Sequence, residues 1–159
     1  MELIKMLKEL WQRIKDLFKA PYKKLRLKED IYSNWSTMNS KLVNLFPKAD
    51  IYITDAKMCH IYQEDMRKVA STNLSKFLRW EPEVHDCDNF AFEFKGIMSY
   101  LFGRHAFGIV FVDTPRGGHA LNCFVDEFGK FNYFEPQNNT IISLEDGNRL
   151  KYKPYLVVI

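Results

Sequence analysis

Hydrophobic positions recur at three- and four-residue steps over residues 2–19. Leu3, Leu7, Leu10, Ile14, Leu17 and Phe18 fall on one side with Trp11, and lysines and acids fall on the other. The pattern predicts an amphipathic helix that ends by Pro21. A second helix is expected over 33–46, closed by Pro47. A third is expected over 62–79, with Ser71-Thr72-Asn73 able to split it. Trp80-Glu81-Pro82-Glu83 reads as an approach loop, because Pro82 excludes a regular helix there. After Asp86 the apolar face broadens to Phe90, Ala91, Phe94, Ile97, Met98, Leu101 and Phe102, with Gly103 as the stop. That width predicts a central helix buried on most sides.

Beyond Gly103 the period changes. Phe107 to Val112 is almost wholly apolar, as a buried strand would be. His119–Asp126 and Lys130–Glu135 flank Glu127-Phe128-Gly129, a three-residue loop with glycine last, which predicts a hairpin. A short strand is expected at 50–54. Two more are expected at 141–144 and 154–159, separated by the turn residues Asp146-Gly147-Asn148. Helices followed by an antiparallel meander of four or five strands imply an α+β domain. Residues 1–28 form a basic helix and link, and 29–159 form a single domain.

Charge sharpens that division. Residues 1–28 hold nine Lys/Arg and three Asp/Glu, while the whole chain is net +3, so the remainder is net −3. Basicity belongs to the leader, and nucleic acid is not an expected partner. The leader helix packs on its own domain, self-associates, docks a partner or lies on a membrane surface. No run of apolar residues is long enough for a transmembrane segment, and no secretory signal is visible. Three widely spaced cysteines, Cys59, Cys87 and Cys123, argue against a disulfide framework and suit a reducing, cytoplasmic setting.

Candidate chemistry centres on His85-Asp86-Cys87-Asp88-Asn89-Phe90-Ala91. It places Cys87 at a helix start, where the positive end of the helix dipole favours a thiolate. His119 opens a strand. If Asp126 pairs with Lys130, paired numbers sum to 256, so His119 lies opposite Gln137 and diagonal to Glu135, all on one strand face. Cys87 would then attack an acyl carbon and His119 would carry its proton. Glu135 or Gln137 would orient the imidazole. Gly118 gives a ligand close approach to His119, and Trp80 and His85 are candidate substrate-binding residues. Asp86 and Asp88 are accounted for by helix capping and dipole complementarity, or by a divalent cation. Neither a structural metal nor an organic cofactor is expected.

The boxes Asp86–Ala91, Gly118–Asn122 and Tyr133–Gln137 resemble the papain-like and transglutaminase-like cysteine hydrolase superfamily. They look most like phage and bacterial members with an Asp-Cys-Asp-Asp-Phe-Ala box, and like the protease domain at the C-terminus of a fungal agglutinin. Asn89 stands where such boxes often carry Asp. The resemblance spans residues 80–138. It implies a Cys-bearing central helix on an antiparallel sheet and amide hydrolysis of a peptide or protein substrate. The agglutinin likeness adds dependence on a divalent cation such as calcium. Transglutaminase-type transfer and a non-catalytic binding or host-interaction module are the alternatives.

Overall fold

A computed structural model describes residues 25–73, 75–103 and 105–159, together with residues 4, 8, 11 and 12. The leader helix expected over 2–19 therefore lies outside the described residues, apart from those four positions.

Strand β1 (Tyr32–Asn34) leads into helix α1 (Trp35–Leu45), whose first turn is capped by the Asn34 side chain accepting from the Thr37 N–H. β2 (Asp50–Tyr52) and β3 (Lys57–Cys59) follow, then α2 (Gln63–Thr72) and a single 3₁₀ turn, Ser75–Phe77. The Ser71-Thr72-Asn73 break is thus real, and Asn73 explains it. Its buried Oδ1 accepts from the Ser75 N–H and turns the chain. Helix α3 runs Cys87–Phe102 and stops at Gly103, whose φ of 68° suits glycine.

The rest is sheet: β4 (Phe107–Thr114), β5 (Gly117–Val125), β6 (Phe131–Glu135), β7 (Thr140–Ser143) and β8 (Lys153–Val158), with short helix α4 (Leu144–Arg149) before β8. Six strands lie in the order β2-β8-β4-β5-β6-β7, and β1-β3 forms a separate two-stranded sheet.

Three features correct the expected α+β, papain-like/transglutaminase-like arrangement of a central helix on an antiparallel sheet. First, the sheet is mixed, because β2 pairs parallel to β8 (Ile51 with Val157). Second, the sheet rather than α3 is the centre. One face carries Leu121, Cys123, Phe131 and Tyr133 under Met38 and Leu42 of α1. The other carries Phe107, Phe124 and Phe134 under Phe94 and Met98 of α3 and Met66 and Val69 of α2. Third, α3 covers one sheet face only. Phe92 and Tyr100 on its outer side are 57% and 69% exposed.

The turn expected at Asp146-Gly147-Asn148 is also different, since these residues lie inside α4. Gly147 is needed there because a Cβ would stand 2.4 Å from the Tyr133 ring.

The β5–β6 hairpin follows the register read from its loop, with Asn122 opposite Phe134 and Val125 opposite Phe131. Gly129 holds φ 71°. The buried Asp126 carboxylate ties the turn by accepting from the Phe128 and Lys130 N–H groups and from the Asn132 and Gln63 amides. Four donors on one carboxylate stabilise it without a counter-charge.

Candidate functional site

Cys87 is the first residue of α3 and half-buried. Beneath it α3 packs through Ala91 on Ile109 and Ala120, so small side chains let the helix start approach β5 closely. The Ala120 backbone N–H points at Cys87 Sγ, 3.4 Å away. His119 is one residue earlier on β5, and its ring reaches Cys87 on one side and Glu135 on the other, with Nε2–Oε2 2.7 Å. Burial opposes charge on the ring. The hydrogen bonds to Cys87 and Glu135 and their negative charge outweigh it, and His119 rises from 6.5 to about 9.

Glu135 is buried at the end of β6. Its other oxygen, Oε1, accepts from the Gln137 N–H at 3.2 Å. Gln137 therefore contributes backbone to the site, and Glu135 is the group on the imidazole. Pro136 follows in the loop. That loop is fixed from below by Asn73, whose Nδ2 donates to the Pro136 carbonyl at 2.9 Å and to Asn139 Oδ1 at 2.6 Å. Sequence reading placed Asn73 in the Ser71-Thr72-Asn73 break and gave it no part in the site. A buried polar residue at a helix break is its only visible signal.

The remaining candidates separate. His85 turns away into structure. Its Nε2 is 2.9 Å from Glu93 Oε1, its ring stands edge-on to Phe90 at 4.5 Å, and its backbone closes the 81–85 turn. Trp80 is half-exposed in the approach loop, near Val84 in sequence, which is also exposed. Gly118 pairs with Asp113 next to the β4–β5 turn, where a Cβ would meet nothing within 4 Å.

Asp86 is the N-cap of α3, and its backbone N–H donates to Asn89 Oδ1 at 3.0 Å. The Asp86 and Asp88 side chains hydrogen-bond to each other. Asp86 is lowered chiefly by that bond and Asp88 is raised chiefly by it. Among the described residues no group of three or more His, Cys, Asp or Glu could hold a metal ion. Two mutually bonded carboxyls do not by themselves supply a divalent-cation site. Cys123 is fully buried and pushed up to about 12 by burial, and Cys59 is buried as well. Cys87 is the accessible one of the three thiols.

A mouth of about 640 Å³ opens beside His119, walled by Arg116, Gly118, Arg149, Lys151 and Tyr152. Sequence reading did not single out these cations. They come from two turns that only the folded sheet brings together. Among the described residues no helix is long and apolar enough to cross a membrane.

A thiol on a helix start, an imidazole on a strand and a carboxylate on the next strand, set in a mixed sheet, define the class of site. The family follows from comparison. The agglutinin C-terminal model matches residues 55–141, more than half of the chain, and the chain belongs to that family. The structure is similar to a solved PSL1a–E64 complex, at 23% identity and TM-score 0.70, over 82% of this chain and 52% of that one. It is also similar to Polyporus squamosus lectin bound to a human-type influenza-binding epitope, at 23% identity and TM-score 0.68, over 82% and 50%. The chain thus spans about half the length of these proteins. No curated protein matches in sequence.

These findings correct the placement in the papain-like and transglutaminase-like cysteine hydrolase superfamily, with its phage and bacterial members. The family found is an agglutinin one and the similar solved structures are those of a lectin. The descriptions that accompanied that placement, cysteine protease-like, hydrolase and phage protein, are withdrawn with it. The reason is physical. Three short boxes record which side chains surround a thiol, and neither strand order nor the ligand is written in them.

Proposed function

We propose that this domain is a ligand-binding module whose cleft presents Cys87 as a nucleophile to an electrophilic carbon of the ligand. Binding as the primary role is supported by membership of an agglutinin family and by likeness to a lectin. The single observation that carries the nucleophile is the Cys87–His119–Glu135 contact chain, of which His119 lines the mouth. An imidazolium beside a sulfur favours the thiolate, and a carboxylate on the far nitrogen keeps the ring charged and aligned. The Cys87 N–H, at the start of α3, would donate to the developing oxyanion.

A second reading is turnover of an acyl ligand, and the bonding of His119 on both sides favours it. Cys87 Sγ would add to an amide carbonyl carbon and the C–N bond would break. His119 would give its proton to the departing amine, and water would then release the acyl group and regenerate the thiol.

Intact-mass measurement after incubation with E64, an epoxide and the partner named for one similar structure, tests the nucleophile. One adduct located on Cys87, and none on a Cys87→Ala variant, is expected. An unmodified protein, or modification of Cys59 or Cys123 instead, would overturn the proposal. Glycan-array binding by the Cys87→Ala variant tests the binding role apart from the chemistry.

A further inference from the structure

The mouth beside His119 is basic. Arg116 sits in the β4–β5 turn, which is pinned by Thr114 Oγ1 accepting from the Arg116 N–H at 3.1 Å and donating to the Gly117 carbonyl at 2.9 Å. Arg149 and Lys151 come from the end of α4 and the turn beyond it, where Lys151 holds φ 62° and its N–H bonds the Asn148 carbonyl. Arg149 is already neutralised, at 2.6 Å from Glu145 and 3.3 Å from Asp146. Arg116 and Lys151 have no ion-pair partner among the described residues, and no acid lines the mouth. Two uncompensated cations facing one concavity, in a body that is otherwise net acidic, concentrate an anion there. Tyr152 and Leu150 give the same mouth an apolar wall.

We infer that Arg116 and Lys151 receive a carboxylate carried by the ligand of Cys87, so that this cleft selects acidic ligands. The inference rests on the proposed role of Cys87 and adds the class of ligand. A carboxylate comes either from an acidic peptide or from an acidic sugar, and one experiment separates them.

Iodoacetyl-Gly-Glu-amide and iodoacetyl-Gly-Gln-amide are alike in size and differ in charge. Each alkylates a thiol by forming the Sγ–carbon bond and expelling iodide, with the thiol proton passing to His119 or water. At low ionic strength the Glu probe is expected to label Cys87 about fivefold faster than the Gln probe. Added salt should erase the difference. Arg116→Glu or Lys151→Glu should bring the ratio to one or below. In parallel, glucuronate is compared with glucose as a protectant against the Gln probe. Discrimination by the peptide pair alone identifies an acidic peptide, and protection by glucuronate alone identifies an acidic sugar. A peptide ratio near one with no selective protection, while Cys87 still outpaces the other thiols, overturns the inference and leaves the nucleophile standing. Labelling of Cys87 no faster than Cys59 and Cys123 by either probe overturns both.

Discussion

His119 Nε2 and Glu135 Oε2 lie 2.7 Å apart, joining the first residues of β5 to the last of β6 across a hairpin whose ladder has already ended at Asn122–Phe134. The bond holds the imidazole against Cys87. Glu135→Gln keeps the shape and removes the charge. His119 should then titrate well below about 9, nearer its ordinary 6.5. NMR titration of the ring in wild type and variant checks this, and an unchanged midpoint would contradict it.

Stability should depend on pH through the same ring. Its folded pKa is raised, so the stabilisation is fully present below about pH 6.5 and is lost as pH rises through about 9. A shift of this size corresponds to roughly 3 kcal/mol at most. Urea unfolding at pH 6 and pH 9.5 should show a larger fall for wild type than for His119→Ala. Equal falls would reject the assignment.

Asn73 is predicted to position the loop that follows Glu135. Asn73→Asp keeps the acceptor for the Ser75 N–H and removes the donor to Pro136 and Asn139. A loss of about 1–3 kcal/mol is expected from the orphaned buried carbonyl. A positioning role further requires a lowered His119 titration midpoint. A purely structural residue would change stability and leave that midpoint alone.

Gly108 should accept no side chain. A Cβ there would stand 2.1 Å from the Val158 carbonyl oxygen and 2.8 Å from Ile159 Cα, both backbone. Gly108→Ala should lower stability by about 1–3 kcal/mol or more, as overpacking of a close backbone approach does. Thermal unfolding measures it, and an unchanged midpoint would show that β4 and β8 sit further apart.

Local features of this chain were legible and long-range ones were not. The β5–β6 register could be read because one glycine loop and a two-residue period fix which side chains share a face, which put His119 on one face with Glu135 and Gln137 but did not choose between them. The capped start of α3 at Asp86 was visible for the same reason. The parallel pairing of β2 with β8 was not. Three residues around Ile51 carry no trace of a partner a hundred positions away. The breadth of the apolar face on α3 misled, because only Phe90, Ala91, Phe94 and Met98 of it are buried while Ile97, Leu101 and Phe102 are half-buried, as on a helix lying on one sheet face. Phe92 leans toward Phe111 at 6.3 Å, which periodicity does not encode. His85 looked like a site residue because it precedes Cys87, and Glu93, two helical turns on, captures it instead.

The reactivity of Cys87 is the most direct measure of the whole account. Iodoacetamide labelling near pH 7.5, with each thiol followed by peptide mass, should modify Cys87 at least about tenfold faster than Cys59 and Cys123, which are buried. His119→Ala should remove most of that advantage. Three thiols reacting at the same slow rate, or a Cys87 indifferent to the loss of His119, would contradict it.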